Sequence, residues 1–257
     1  MKTRFVGIMA AAAISLGVSS AAMAQETESF IPGSFTGNVA LTSDYVFRGV
    51  SQSFNGPAIQ GGLDWDTGAG FHFGTWGSSI NFQDASITGR QEASAEVDIY
   101  GGYGGKIGDA LSYDVGLIYY WYPGAAGLLN YDLIELYAKS TYDFGVAALN
   151  VGINWSPDAT GSTGSSTYLS AGLSVPVTTY LAVSGGIGYS YLAQSNTPVP
   201  AFFPDYMDWN LGAKLNVNNW FNVDARYYDT DMAKTSCKLV GRTVCGSKGV
   251  LTISRSF

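Results

Sequence analysis

Thirteen ionisable side chains fall at alternating positions, each next to at least one apolar residue. They are the acids Asp44, Asp64, Asp66, Glu96, Asp98, Asp114, Glu135, Asp208 and Asp224 and the bases Arg48, Lys139, Lys214 and Arg226. Nine carboxylates against four cations can form a wet wall that concentrates cations. Paired among themselves, the same groups merely fill an interior. Other chemistry is sparse. His72 is the only histidine. It alternates with Phe71 and Phe73, so it points away from the apolar face, and no nucleophile spacing accompanies it. Gly104-Gly105-Lys106 lacks the earlier glycine of a phosphate loop, because Tyr100 stands there. Cys237 and Cys245 are too few for a zinc site, which takes about four ligands. In an exported chain they are expected to form a local disulfide. No catalytic residue, metal site or cofactor is expected.

The elements that hold these groups read as strands. Period-two alternation runs through twelve segments of about ten residues. Leu111–Trp121 places Leu111, Tyr113, Val115, Leu117, Tyr119 and Trp121 on one face. Tyr206–Val217 sets Met207, Trp209, Leu211, Ala213 and Leu215 against Asp208, Asn210 and Lys214. The first segment is expected over Phe35–Phe47, with Tyr45 and Phe47 continuing the apolar face of Val39 and Leu41. Connections alternate short and long. Thr67-Gly68-Ala69 and Asn218–Trp220 are short, whereas Arg48–Pro57 and Thr230–Lys248 are long. This rhythm, and strands of this length, suit a barrel crossing a bilayer. Charge on a lipid face costs about 2–4 kcal/mol for Arg or Lys at the midplane, so the ionisable face must be the inner one.

Aromatics divide by end. Trp65, Tyr103, Tyr142, Phe144, Tyr180, Trp220 and Phe257 gather at the short-turn rim. Tyr45, Phe47, Trp121, Trp155, Tyr189, Tyr191 and Tyr227 gather at the other. Such girdles mark two membrane interfaces. Lys2 and Arg4, the apolar stretch Phe5–Val18 and the small-x-small string Ala22-Met23-Ala24 predict a cleaved signal peptide over 1–24. Without Lys2 and Arg4, 11 of the 13 basic residues remain against 20 acidic ones, a net charge of −9. That excludes a nucleic-acid partner, which requires a basic footprint. Leu251, Ile253 and terminal Phe257 alternate in the last segment, interrupted by Arg255. They resemble the signal read by bacterial barrel-assembly machinery.

The string Leu41-Thr42-Ser43-Asp44-Tyr45-Val46-Phe47-Arg48-Gly49-Val50-Ser51-Gln52-Ser53 resembles the N-terminal signature of a family of uncharacterised proteobacterial exported proteins. That family is known as Gcw_chp, or TorF, and is regarded as porin-like. Pro57–Asp64, Tyr113–Gly116, Tyr119-Tyr120, Tyr122-Pro123-Gly124 and Glu135-Leu136-Tyr137 extend the resemblance. It implies an outer-membrane barrel and transfers no functional site.

The combined expectation is an all-β transmembrane antiparallel up-and-down barrel of about 12 strands. A signal peptide (1–24) and a short segment (25–34) precede the barrel (35–257), and both barrel ends lie on the periplasmic side. Expected partners are outer-membrane lipid, periplasmic chaperones, the assembly machinery and small solutes. The favoured function is a small porin-like channel for cations or small polar solutes. The alternative is a sealed structural or surface-interaction barrel working through external loops, with Thr197–Phe203 as a contact surface. An enzyme lacks the catalytic cluster it needs.

Overall fold

The computed structural model of the chain describes residues 31–83, 91–125, 130–192, 203–239 and 241–257. The expected leader, most of segment 25–34, and Thr197–Phe203 apart from Phe203 lie outside the described residues. The described strands are β1 (Ser34–Thr42), β2 (Val46–Phe47), β3 (Val50–Ser51), β4 (Ala58–Asp66), β5 (Phe71–Gln83), β6 (Gln91–Ile107), β7 (Leu111–Trp121) and β8 (Leu133–Asp143). They continue as β9 (Ala148–Ser156), β10 (Ser166–Pro176), β11 (Leu181–Leu192), β12 (Tyr206–Val217), β13 (Phe221–Thr230), β14 (Lys238–Leu239), β15 (Arg242–Thr243) and β16 (Lys248–Ser256).

Strands β1, β4 to β13 and β16 close one antiparallel barrel. Closure joins β1 to β16, from Asn38↔Ser256 to Thr42↔Thr252. The terminal Phe257 extends the seam, donating its N–H to the Gly37 carbonyl at 2.9 Å and accepting the Gly37 N–H at 2.8 Å. A closed barrel satisfies strand polar groups without an edge, as a bilayer demands. No helix among the described residues is long and apolar enough to cross a membrane. The crossing is made by strands.

Alternation becomes an inside and an outside. Leu41, Ile59, Leu63 and Leu211 are each more than half exposed outward, whereas Glu96, Glu135 and Asp208 are buried inward. An exterior this apolar is a lipid-facing surface, and the chain is an outer-membrane barrel. Trp220 and Phe257 stand out at the short-turn rim, and Trp121, Trp155 and Tyr191 at the long-loop rim. Turn chemistry matches. Asn218 (φ 51°) and Asn219 (φ 58°) both take the left-handed conformation, and the Trp220 N–H closes on the Val217 carbonyl at 2.9 Å. Positive φ at both central residues is the two-residue turn whose twist suits a hairpin.

The first strand departs from expectation. It stops at Thr42 rather than Phe47, and Tyr45 and Phe47 leave the outer girdle for the interior, where Tyr45 is buried and Phe47 packs beside it. Polar capture explains the turn inward. The Asp44 carboxylate accepts the Ser51 and Ser53 hydroxyls at 2.5 and 2.8 Å, and the Thr42 hydroxyl donates to the Asp44 carbonyl at 2.9 Å. Asp44 thus folds the chain back on itself instead of letting it continue outward.

Candidate functional site

Residues 43–57 form a hairpin inside the barrel, with β2 paired to β3. Arg48 (φ 49°) and Gly49 (φ 78°) make its tip. Glycine is required at 49, because a Cβ there would collide with Thr230 and Asp208. The tip carries Arg48 across the lumen to β8, where its two terminal nitrogens donate to the two Glu135 oxygens at 2.8 and 2.7 Å. The guanidinium also lies 4.6 Å from the Phe47 ring centre and 4.4 Å from that of Tyr168. Burial opposes the Arg48 charge, yet the Glu135 carboxylate holds its pKa above the ordinary value, so it stays a cation. Glu135 is fully committed: it also accepts the Tyr120 hydroxyl at 3.2 Å and the Asn154 amide at 3.0 Å.

Other contacts fasten the hairpin. The Tyr45 hydroxyl donates to Glu96 at 2.7 Å. Burial, then the Glu96 and Asp98 charges, push that phenol well above its ordinary pKa, so it remains a donor. The Ser51 N–H reaches the Val244 carbonyl at 2.8 Å. The β5–β6 register shifts between Ser79 and Phe82, and within this irregularity the Asn81 N–H bonds the Gln52 carbonyl at 2.9 Å.

Side-chain size decides where space remains. Trp76, Tyr100, Ile118, Tyr120 and Tyr137 crowd the inner wall of β5 to β8. Opposite them, β9 to β11 present Asn150, Gly152, Ser170, Gly172, Ser184 and Gly186. A chamber of about 320 Å³ lies against the small-residue wall and runs from Arg48 to Ser174, Asn222 and Ser256 near the short-turn end. A second cavity of about 230 Å³ lies toward the long loops, lined by Phe54, Phe82, Tyr122, Tyr131, Phe203 and Tyr206 among others. Phe47, Arg48 and Tyr120 line both. The hairpin tip therefore lies between the two spaces.

The thirteen ionisable candidates separate into groups. Arg48 and Glu135 pair at the hairpin tip. Asp44, Lys139, Asp208, Lys214, Asp224 and Arg226 line the larger chamber. Asp44 is paired with Lys248 at 3.3 Å. Asp208 accepts the Tyr168 hydroxyl at 3.1 Å. The Arg226 guanidinium bridges Asp224 at 3.0 and 3.1 Å and donates to Asn210 at 2.6 Å and Ser184 at 2.9 Å. Asp64, Glu96, Asp98 and Asp114 belong instead to the crowded wall. Asp64 accepts the Tyr100 hydroxyl. Asp114 faces His72 at 3.6 Å, with the Tyr137 hydroxyl 3.1 Å from the same histidine nitrogen. One Asp98 oxygen is buried with no hydrogen-bond partner among the described residues. Asp66 sits exposed at the rim, accepting the Gly68 N–H at 2.8 Å. It caps a turn and lines neither of the two cavities.

Inward parity predicts an acidic lumen, and the larger chamber shows a mixed lining. Three acids and four bases line it. Parity reports what points inward, not what touches open space. Lys248 and the hairpin were missed by sequence reasoning, although apolar Val50 and Phe54 in a supposed external loop were a signal. Cys237 and Cys245 are bonded, with Cα atoms 5.8 Å apart, in the β13–β16 connection that carries β14 and β15. Among the described residues no group of three or more His, Cys, Asp or Glu is arranged to hold a metal.

Solved outer-membrane channels share this architecture. The KdgM porin superposes with a TM-score of 0.58 at 7% identity, over 86% of this chain and 99% of that one. The NanC porin gives 0.54 at 10%, over 86% and 98%. The COG4313 outer membrane channel from Pseudomonas putida F1 gives 0.57 at 11%, over 88% and 96%. At such identities the likeness is one of fold. No curated protein sequence matches the chain. The family model described as a bacterial protein of unknown function, Gcw_chp, matches residues 24–257, and the chain belongs to that family.

Proposed function

We propose that this barrel is a narrow passive channel for small polar solutes, constricted at Phe47, Arg48 and Tyr120. The observation that carries this reading is the pair of cavities on either side of one constriction. A barrel built only as a scaffold would gain stability by filling the chamber with large side chains. Instead β9 to β11 present mostly Gly, Ser and Asn to it. A solute would enter past the aromatic outer cavity, pass the Arg48 tip, and descend a wall of hydroxyls and amides without any bond changing. No residue has a catalytic role in this reading. Assembly through chaperones and the barrel-assembly machinery belongs to the same reading, with Phe257 as the signal.

The sealed-barrel alternative draws on the hairpin itself, which is held at Glu96, Glu135, Asn81 and Val244. Conductance separates the two. Purified, refolded protein in a planar bilayer is expected to give small, discrete current steps. Absence of steps at every salt concentration would establish the sealed barrel.

A further inference from the structure

The geometry points to a binding site for small hydroxylated anions in the larger chamber, with Lys139 and Lys214 as the groups that attract them. This inference rests on the channel reading and adds the charge and chemistry of the solute. The argument is one of charge already spent. Each carboxylate on the chamber wall has a partner: Asp44 has Lys248, Asp224 has Arg226, and Asp208 has the Tyr168 hydroxyl. Two of the four cations are likewise committed, Arg48 to Glu135 and Arg226 to Asp224. Lys139 and Lys214 remain. Among the described residues neither ammonium has a carboxylate within 4.0 Å.

Their surroundings do not supply one. Lys139 projects from β8 with its ammonium 4.6 Å from the Tyr137 ring centre, and it feels Asp114 and Glu135 only at longer range. Lys214 is the register partner of Asp224, whose two oxygens are both taken by Arg226. The unspent charge on the chamber wall is therefore positive, with Asp208 as its partial offset. A cavity with low-dielectric walls strengthens such a field. The neutral lining says what else the anion carries. Asn38, Asn150, Ser170, Ser184, Asn210 and Thr252 offer donors and acceptors suited to hydroxyls rather than to an apolar tail. A hydroxylated carboxylate, such as a sugar acid, fits both features.

The test uses the refolded full-length protein and three variants, Lys139→Gln, Lys214→Gln and the double substitution, each first confirmed to be heat-modifiable on gels. Reversal potentials in a potassium chloride gradient are expected to show anion preference, falling toward no preference in the double variant. The difference should be largest in dilute salt, where the screening length grows from about 10 Å at 0.1 M to about 30 Å at 0.01 M. Cation preference, or an anion preference that survives the double substitution, overturns the inference while leaving the channel intact. A silent bilayer removes the channel reading, and a second measurement then decides on the site by itself. Calorimetric titration of the detergent-solubilised barrel with sodium gluconate, against glucose as the neutral control, is expected to give heats for gluconate that the double variant loses. Equal heats in wild type and double variant, or none in either, overturn the site.

Discussion

Arg48 on an inward-folded hairpin and Glu135 on the barrel wall meet through two hydrogen bonds of 2.8 and 2.7 Å, although 87 residues separate them in the chain. This contact ties the hairpin tip to β8. Removing one member of a buried ion pair costs roughly 3–5 kcal/mol, because the other is left uncompensated. Glu135→Gln is therefore expected to loosen the hairpin tip while the wall strands stay closed. Arg48→Ala also removes the bulk that separates the two cavities. Single-channel conductance should rise in Arg48→Ala, and the current should become noisier in Glu135→Gln. Unchanged conductance in both would show that the solute path does not pass this pair.

Gly49 permits the tip. A side chain there is strained by the φ of 78° and collides with Thr230 and Asp208. Left-handed strain at a non-glycine residue costs on the order of 1–3 kcal/mol, before any collision is counted. Gly49→Ala is expected to lower the temperature of gel heat-modification and to increase current noise, as the hairpin disengages before the barrel opens. A wild-type melting profile would contradict the tip geometry.

The Cys237–Cys245 bond closes a loop of separation 8 in the longest connection. Its chain-entropy contribution is roughly 2–3 kcal/mol. Both cysteines are fully buried with Val50, Phe54 and Val244, so the bond supports the outer face of the hairpin. Cys237→Ser with Cys245→Ser should raise protease sensitivity between β13 and β16 without opening the barrel. Mass spectrometry of exported wild-type protein should find no free thiol.

Phe257 closes the β1–β16 seam through its backbone while its ring stands 73% exposed at the rim. An exposed ring there serves the membrane interface better than it serves packing. Deleting Phe257 is expected to reduce the amount reaching the outer membrane with synthesis unchanged. Normal membrane levels of the shortened chain would remove the assembly role.

What the sequence made legible follows from the period of a strand. Leu111–Trp121 and Tyr206–Val217 alternate without interruption, and β7 and β12 carry those bounds. Strict alternation also separated lipid-facing Leu211 from inward Asp208. The hairpin was not legible for the same reason. Tyr45 and Phe47 keep the parity of Val39 and Leu41, so a local pattern extends the strand through them. Only the long-range capture of Asp44 by Ser51, Ser53 and Lys248 bends the chain inward. The site suffered likewise. Inward pointing was readable for Glu96 and Lys139 alike. Which of them meets open space depends on whether Tyr45 or Gly152 stands nearby.

The crowded wall supplies the last prediction. Glu96 and Asp98 share one strand and one face, and inward parity would make them the centre of an acidic filter. Neither lines the chamber or the outer cavity. Glu96 is held by the Tyr45 hydroxyl, and Asp98 is buried with one oxygen unpartnered among the described residues. Glu96→Gln with Asp98→Asn should therefore leave the reversal potential at its wild-type value, unlike the lysine substitutions. Asp98→Asn alone should also raise the temperature of heat-modification. It removes a buried acid close to Glu96 and Glu135, and burying a carboxyl group beside other carboxyl groups costs more than burying an amide. A shift of selectivity in the double substitution would place the ion path along β6 and against this partition of the lumen. A lower melting temperature for Asp98→Asn would mean that the carboxylate has a stabilising partner there.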